Sequence, residues 1–422
     1  MKRLWSVPIV LSLLTTAAAG CSTSGEPSGG SAAPKAGDKV TLSILSWENE
    51  TKMKPVVDGF KQKYPNVTFD FQYAPPVKDY IEKLKTLLLT NSGPDLFVMA
   101  LENRDLIDGG YTLDITNEPF MKGIAENNKK AYSKDGKVYA LSQSSWVGGI
   151  FYNKDLFTKA GIAGEPKTWQ ELVDLSGKLK AAGITPILNN TQDAAVNMVT
   201  SLFASQTLSQ NANFDKEVLE GKKKYADGWT EPIKIWHEGM VKPGFITSDM
   251  VGLNGDQVVS EFSAGKTAMI LGGPWNIGAI DKQNPNLKYS MIPVPGLKAG
   301  SEYYFGAPGI AYAVNSKTKN KDSALKFLDY LSSPEGLKAY YEGTGQIITA
   351  KGFEHTVHPS LETAYKGLLS NRTYIPMAEW RKHTEAIRNQ YIISLQDLLL
   401  NKITPEQAAQ SLDKKFKEME GK

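Results

Sequence analysis

The chain has 422 residues, and at roughly 100–200 residues per domain two domains are expected. Hydrophobic residues make up 41% and charged residues 22%, a composition that excludes a disordered or coiled-coil chain. With 48 basic against 45 acidic residues the net charge is +3, and no clustered excess of Lys and Arg offers a footprint for nucleic acid.

The chain opens with Lys2 and Arg3, an apolar run from Leu4 to Leu14, and the small residues Ala17-Ala18-Ala19-Gly20 directly before Cys21. That order reads as a secretory signal over residues 1–20. Cys21 is the sole cysteine, so no internal disulfide and no Cys-based zinc site can form. Small residues ending in Gly-Cys resemble a lipobox, although Ala18 stands where Leu is usual. The resemblance implies cleavage before Cys21, lipidation of its thiol and tethering to the outer face of the cell membrane. Residues 21–38 are rich in Ser, Gly, Pro and Ala and read as a flexible linker. No later stretch reaches the ~18 apolar residues of a membrane span.

Strand and helix signals then alternate. Val40, Leu42, Ile44 and Trp47 mark a strand. Lys52 to Lys63 is helical, with Val56, Val57 and Phe60 on one side, and Tyr64-Pro65-Asn66 stops it. Phe69, Phe71 and Tyr73 alternate as a half-buried strand does. Tyr80 to Thr90 is helical with Ile81, Leu84, Leu87 and Leu88 inward, and Leu96 to Ala100 is a short buried strand. This alternation indicates βαβ units and a parallel sheet. Further on, Thr168 and Glu171 form a capping box, and Ser333-Pro334 and Thr404-Pro405 open helices with Pro behind a hydroxyl cap. Tyr225, Trp229, Ile233, Trp236 and Met240 follow helical spacing and read as core.

Sequence signals of catalysis are sparse. There is no Gly-x-Gly-x-x-Gly and no Walker loop, and no Gly-x-Ser-x-Gly elbow. Ser263 and Lys266 match a Ser-x-x-Lys pattern whose companion motifs are missing. The four His residues include no His-Glu-x-x-His, so neither a metal nor a cofactor is expected. Four tryptophans stand apart from the core stripe: Trp47, Trp146, Trp275 and Trp380 each sit at a strand end or break beside polar or small residues. An indole in such a place can lie flat on a ligand. The apolar C–H face and hydroxyl rim of a pyranose suit aromatic platforms mixed with carboxylates, amides and Arg, so a ligand cleft is expected.

Gly149-Ile-Phe-Tyr-Asn-Lys-Asp-Leu-Phe157, with Ala160-Gly161, Pro166-Lys-Thr-Trp169 and Glu171-Leu172, resembles the extracellular solute-binding proteins of family 1, the sugar-binding components of ABC importers. Gly93-Pro-Asp-Leu96, Phe262 to Met269, Gly273-Pro-Trp275, Ala311 to Asn315, Ala324 to Leu328 and Ser333 to Gly336 follow in the same order. The resemblance covers about residues 40 to 420. It implies an α/β, two-lobed periplasmic-binding-protein-like fold of type II, with the ligand cleft between lobes joined by a multi-crossing hinge. Carried over, the first lobe holds 39–141 and 290–314, and the second holds 142–289 and 315–422.

The resemblance also implies site residues. Trp47, Glu48 and Asn49 come from the loop after the first strand. Glu102 and Asn103 match an acid–Arg pair of the maltose-binding relative, with Asn103 in place of the Arg. Asp193 sits near a loop that carries an acid and aromatics there, but Ala194 and Ala195 follow it here. Trp275 and Trp380, with Arg381 beside the latter, match stacking positions. Trp146 is added from its place just before Gly148-Gly149. The implied protein is a monomeric, non-enzymatic sugar or oligosaccharide receptor that docks on the permease subunits of an ABC transporter. A receptor for a polyamine, glycerophosphodiester or peptide and a secreted enzyme acting on glycosides remain open alternatives.

Overall fold

The structure, a computed structural model, describes residues 39–74, 77–191 and 198–421. The signal, the linker, Cys21 and Asp193 lie outside the described residues. Among the described residues twelve strands follow in chain order: β1 Val40–Ser46, β2 Val67–Tyr73, β3 Leu96–Met99, β4 Ser133–Lys134, β5 Lys137–Val138, β6 Ser144–Asn153, β7 Met269–Gly272, β8 Tyr289–Ile292, β9 Tyr304–Pro308, β10 Ala311–Val314, β11 Ile347–Ile348 and β12 Thr373–Tyr374. Apart from the small β4–β5 hairpin, they form two sheets.

The first sheet has the order β10-β3-β1-β2. β1 runs parallel to β2 and β3, and β10 runs antiparallel to β3. The parallel part is what the alternating signals predict. Asn49 caps the helix Glu50–Lys63 by accepting from Thr51 N, and that helix turns Met53, Val56, Val57 and Phe60 into the core. Tyr80, Leu84 and Leu88 of the helix Val77–Leu89 are buried in the same core. β2 is more open than its alternation implies: Phe69 and Phe71 are half-buried and Tyr73 is exposed, because β2 is the sheet edge.

The second sheet is built around β6. Its first half pairs with β9 and β11, and its second half with β7 and β8. The exchange of neighbours falls on Gly148-Gly149. A Cβ on Gly148 would stand 2.1 Å from the Phe305 ring and 2.6 Å from Gly272 O, and one on Gly149 would stand 2.3 Å from Ile292 O. Strands converge there so closely that no larger residue fits.

The chain crosses between the sheets near 141–144, 308–311 and 344–347. β8 and β9 belong to the second sheet through β6, so the first lobe regains the chain only at β10, not at residue 290. The helices Lys321–Ser332 and Pro334–Thr344 then pack on the helix Glu50–Lys63 and stay with the first lobe, so 315–344 does not belong to the second. The expected boundaries failed there because two buried amphipathic helices read the same on either lobe. The crossings are tied together at Gly309. Its N–H donates to Ser144 O at 2.7 Å, and its carbonyl accepts from Tyr132 OH at 2.8 Å and Ser142 Oγ at 3.0 Å.

The three hydroxyl caps form, but the box expected at Thr168 and Glu171 closes one residue early, with Glu171 Oε2 accepting from Lys167 N at 2.7 Å. Thr168 accepts from Glu171 N, Ser333 from Gly336 N, and Thr404 from Gln407 N. Among the described residues, no helix is long and apolar enough to cross a membrane.

Candidate functional site

A cleft of about 720 Å³ lies where the crossings meet. Trp47, Lys52, Glu102 and Tyr132 line it from the first lobe, and Trp146, Trp275, Met377 and Arg388 from the second. Pro308-Gly309-Ile310 and Thr344-Gly345-Gln346, both at crossings, form its back wall.

Each aromatic wall follows from local sequence. Trp47 leaves the end of β1 and meets Tyr80 edge-on at 4.8 Å. Tyr80 OH in turn donates to Val98 O at 2.7 Å, which fixes the platform to β3. Trp146 is the only half-buried residue of the otherwise buried β6, because its side chain faces the cleft. Trp275 sits in the first turn of the helix Pro274–Gln283, where Pro274 opens the helix and Asn276 Oδ1 accepts from Gly273 N at 3.0 Å. The Trp275 indole folds back over Gly273, where a Cβ would stand 2.3 Å from its ring. It remains 54% exposed and meets Trp146 edge-to-face at 5.5 Å and 72°. Two indoles at that angle form a corner with one apolar face in water.

The polar groups come from both lobes. Glu102 opens to the water of the cleft but lies deep in the concavity. Loss of solvent raises its pKa, Glu385 adds to the rise, and Arg388 and Arg104 oppose it. Glu48 lies behind the wall. Its Oε1 is 3.7 Å from Lys52 Nζ and accepts from Gln346 Nε2 at 3.4 Å, while Oε2 is buried without a partner. Burial raises its pKa against the opposing effects of Lys52 and Gln346. Gln346 also accepts from Ser144 Oγ at 2.7 Å, so one amide at a crossing touches both lobes.

Of the residues expected from sequence, Trp47, Glu102, Trp146 and Trp275 are brought together on the cleft. Glu48, Asn49, Asn103, Trp380 and Arg381 go elsewhere. Asn49 is spent on the helix cap, and buried Asn103 holds the turn Leu101–Asn103 by accepting from Ala100 N at 2.8 Å. Trp380 is fully buried. It packs edge-on against Tyr225, Trp229 and Tyr391, and its Nε1 donates to Asp215 Oδ1 at 3.1 Å. The flanking Ala378 and Arg381 made Trp380 look like a loop platform, yet it belongs to the core stripe of Trp229. Arg381 does not line this cleft either. It reaches to the first lobe and donates to Lys130 O and Ser133 O at 2.7 Å each.

Lys52, Tyr132, Gln346, Met377 and Arg388 also line the cleft, although nothing in the sequence singles them out. They sit on ordinary helices and crossings, and no local pattern marks them. Arg388 lies on the helix Thr384–Leu399 and brings a guanidinium to the cleft from the second lobe. A second clamp joins the lobes beside it. Arg104 donates to Ala378 O and Met377 O at 2.7 Å each, and burial pushes its pKa down to about 10, with Arg381 adding to the fall. Among the described residues, no group of three or more His, Cys, Asp or Glu is placed to hold a metal.

Residues 46–338 match the family described as bacterial extracellular solute-binding protein. The chain is 25% identical over 350 residues to the multiple sugar-binding protein of Streptococcus mutans, covering 80% of this chain and 82% of that one. It is 27% identical over 360 residues to the maltodextrin-binding protein of Bacillus subtilis, covering 80% and 79%. Among solved structures it is similar to a family 1 extracellular solute-binding protein from Bifidobacterium longum subsp. infantis. The TM-score is 0.82 and the identity 31%, over 90% of this chain and 100% of that one. The shared architecture is the two-lobed, type II α/β fold described above.

Proposed function

The chain belongs to the bacterial extracellular solute-binding proteins, and from that premise we propose that it captures a sugar or oligosaccharide between its lobes and delivers it to the permease of an ABC importer. The observation that carries this reading is the make-up of the cleft: three indoles, Trp47, Trp146 and Trp275, among Glu102, Lys52, Gln346 and Arg388. The indoles offer flat apolar faces, and the polar groups can bind hydroxyls from both sides. The names of the relatives, a multiple sugar-binding protein and a maltodextrin-binding protein, point the same way.

The lining counts against the alternatives. Among its described residues Glu102 is the one carboxylate, whereas a polyamine site needs several and glycoside hydrolysis uses a pair. The protein therefore acts as a receptor and leaves its ligand unchanged. Trp380 and Arg381 have no part in stacking on the sugar. Residues 1–20 serve as the export signal, Cys21 carries the lipid, and residues 21–38 hold the lobes off the membrane. One relative, from Streptococcus pneumoniae, is named a maltooligosaccharide transporter lipoprotein, which supports the anchor.

A thermal-shift screen against maltose, maltotriose, melibiose, raffinose, stachyose, spermidine and glycerophosphocholine tests the reading. A bound solute at a hundredfold excess over Kd adds about 2.7 kcal/mol of stability. A shift with a neutral saccharide alone is expected, and a shift with spermidine or glycerophosphocholine alone would overturn it.

A further inference from the structure

We infer that Asp215 is the positioning residue of the cleft floor: by holding Tyr374 and Trp380 it sets where Met377 and Ile375 stand and where Arg104 finds its two carbonyls. Asp215 lies on the short helix Phe214–Leu219 and is 4% exposed. Its Oδ2 accepts from Tyr374 OH at 2.9 Å and its Oδ1 from Trp380 Nε1 at 3.1 Å. These donors stand at the two ends of one segment. Between them Ile375 and Met377 line the cleft, and Met377 O and Ala378 O receive Arg104 from the first lobe. Just past Trp380, Arg381 reaches back to Lys130 O and Ser133 O. One carboxylate beneath the segment thus fixes both ends of a span that carries cleft side chains on its far side and joins the lobes.

The chemistry makes the carboxylate hard to replace. Both neighbours are donors, and a carboxyl group meets them with two oxygens where a side-chain amide has one. The charged and titratable groups facing it are Tyr225, Tyr374, Glu379, Lys130 and, across Tyr225, Asp413. Asp413 is already engaged by Tyr225 N and Ala226 N. Desolvation pushes the Asp215 carboxyl up to about 7; the Tyr374 hydrogen bond resists, Glu379 adds to the rise, and Trp380 and Lys130 resist.

The consequence for sugar affinity rests on the cleft proposed above, but the test needs no sugar, so a failed saccharide screen and a failed positioning role are separate outcomes. Hydrogen–deuterium exchange is followed by mass spectrometry on the full chain as wild type, Asp215→Asn, Tyr374→Phe and the double variant. Leaving one of these buried donors without its acceptor is expected to speed local exchange about tenfold or more. The acceleration should fall on residues 373–381 and on the first-lobe segments they touch, 100–104 and 126–134. Helices Glu50–Lys63 and Trp169–Ala181 should stay unchanged. The double variant should add nothing beyond Asp215→Asn, because both changes break one unit. Uniform acceleration of the second lobe, additive effects, or acceleration of 373–381 without 100–104 and 126–134 would overturn the inference. If Asp215→Asn does not fold, Tyr374→Phe, which removes one oxygen, decides by the same pattern.

Discussion

Replacing Trp275 by Ala should lower sugar affinity about thirtyfold while sparing most of the stability. The indole is 54% exposed, so less than half of it is buried in the free protein. An enclosed Trp buries about 150–250 Å², so truncation here gives up on the order of 100 Å², or about 2 kcal/mol as an upper figure. If the sugar stacks on this ring as proposed, the ring is covered on binding, and an aromatic platform at the centre of an interface is worth about 2 kcal/mol or more. At 1.4 kcal/mol per decade that is roughly thirtyfold in Kd. Trp229→Ala is the control. Trp229 is fully buried and stacks on Phe203 at 4.0 Å and 9°. Its loss should cost about 3–5 kcal/mol of stability and leave the affinity of the folded fraction intact. Calorimetric titration with the saccharide giving the largest thermal shift reads affinity and active fraction independently, and urea unfolding reads stability. Wild-type affinity in Trp275→Ala, or an equal loss in folded Trp229→Ala, would refute the assignment of the Trp146–Trp275 corner to the sugar.

Asp215 gives a signed pH dependence. Its folded pKa is raised from 3.8 to about 7 by burial, so its contribution to stability is present below the unfolded value and lost as pH rises through about 7. A rise from 3.8 to about 7 corresponds to roughly 4 kcal/mol. Wild type should therefore lose stability relative to Asp215→Asn between pH 4 and 7.5, and a constant difference between their urea midpoints would count against the buried carboxyl. Gly148→Ala would press a methyl group against Phe305 and Gly272 O and should cost about 1–3 kcal/mol, read as a lower thermal midpoint; an unchanged midpoint would contradict the strand convergence. Cys21→Ser should release the protein from washed membranes, since a diacylated terminus suffices for stable anchoring, and undiminished retention would remove the proposed anchor.

Local signals carried much of the fold. Caps at Thr168, Ser333 and Thr404 and the apolar faces around Val56 and Leu84 are set by residues three or four apart, and each is visible in a short stretch of chain. What escaped was long-range. Whether β8 and β9 pair with β6 or with the first sheet depends on partners more than a hundred residues away. The cleft divides the same way. Trp47, Trp146 and Trp275 stand beside small or polar neighbours because the chain there turns into open space. Trp380 has similar neighbours, but Asp215, 165 positions earlier, draws its indole N–H into the core. Arg388 reaches the cleft from a helix nearly three hundred positions after Glu102, a meeting that only spatial proximity reveals.

The central claim is that the interlobe cleft holds a saccharide and returns it unchanged. Calorimetric titration of the wild-type protein with the saccharide panel, followed by chromatography of the recovered sugar, tests it most directly. Saturable binding of at least one neutral saccharide at one site per chain is expected, with the sugar recovered intact. No heat with any saccharide, or recovery of cleaved products, would contradict it.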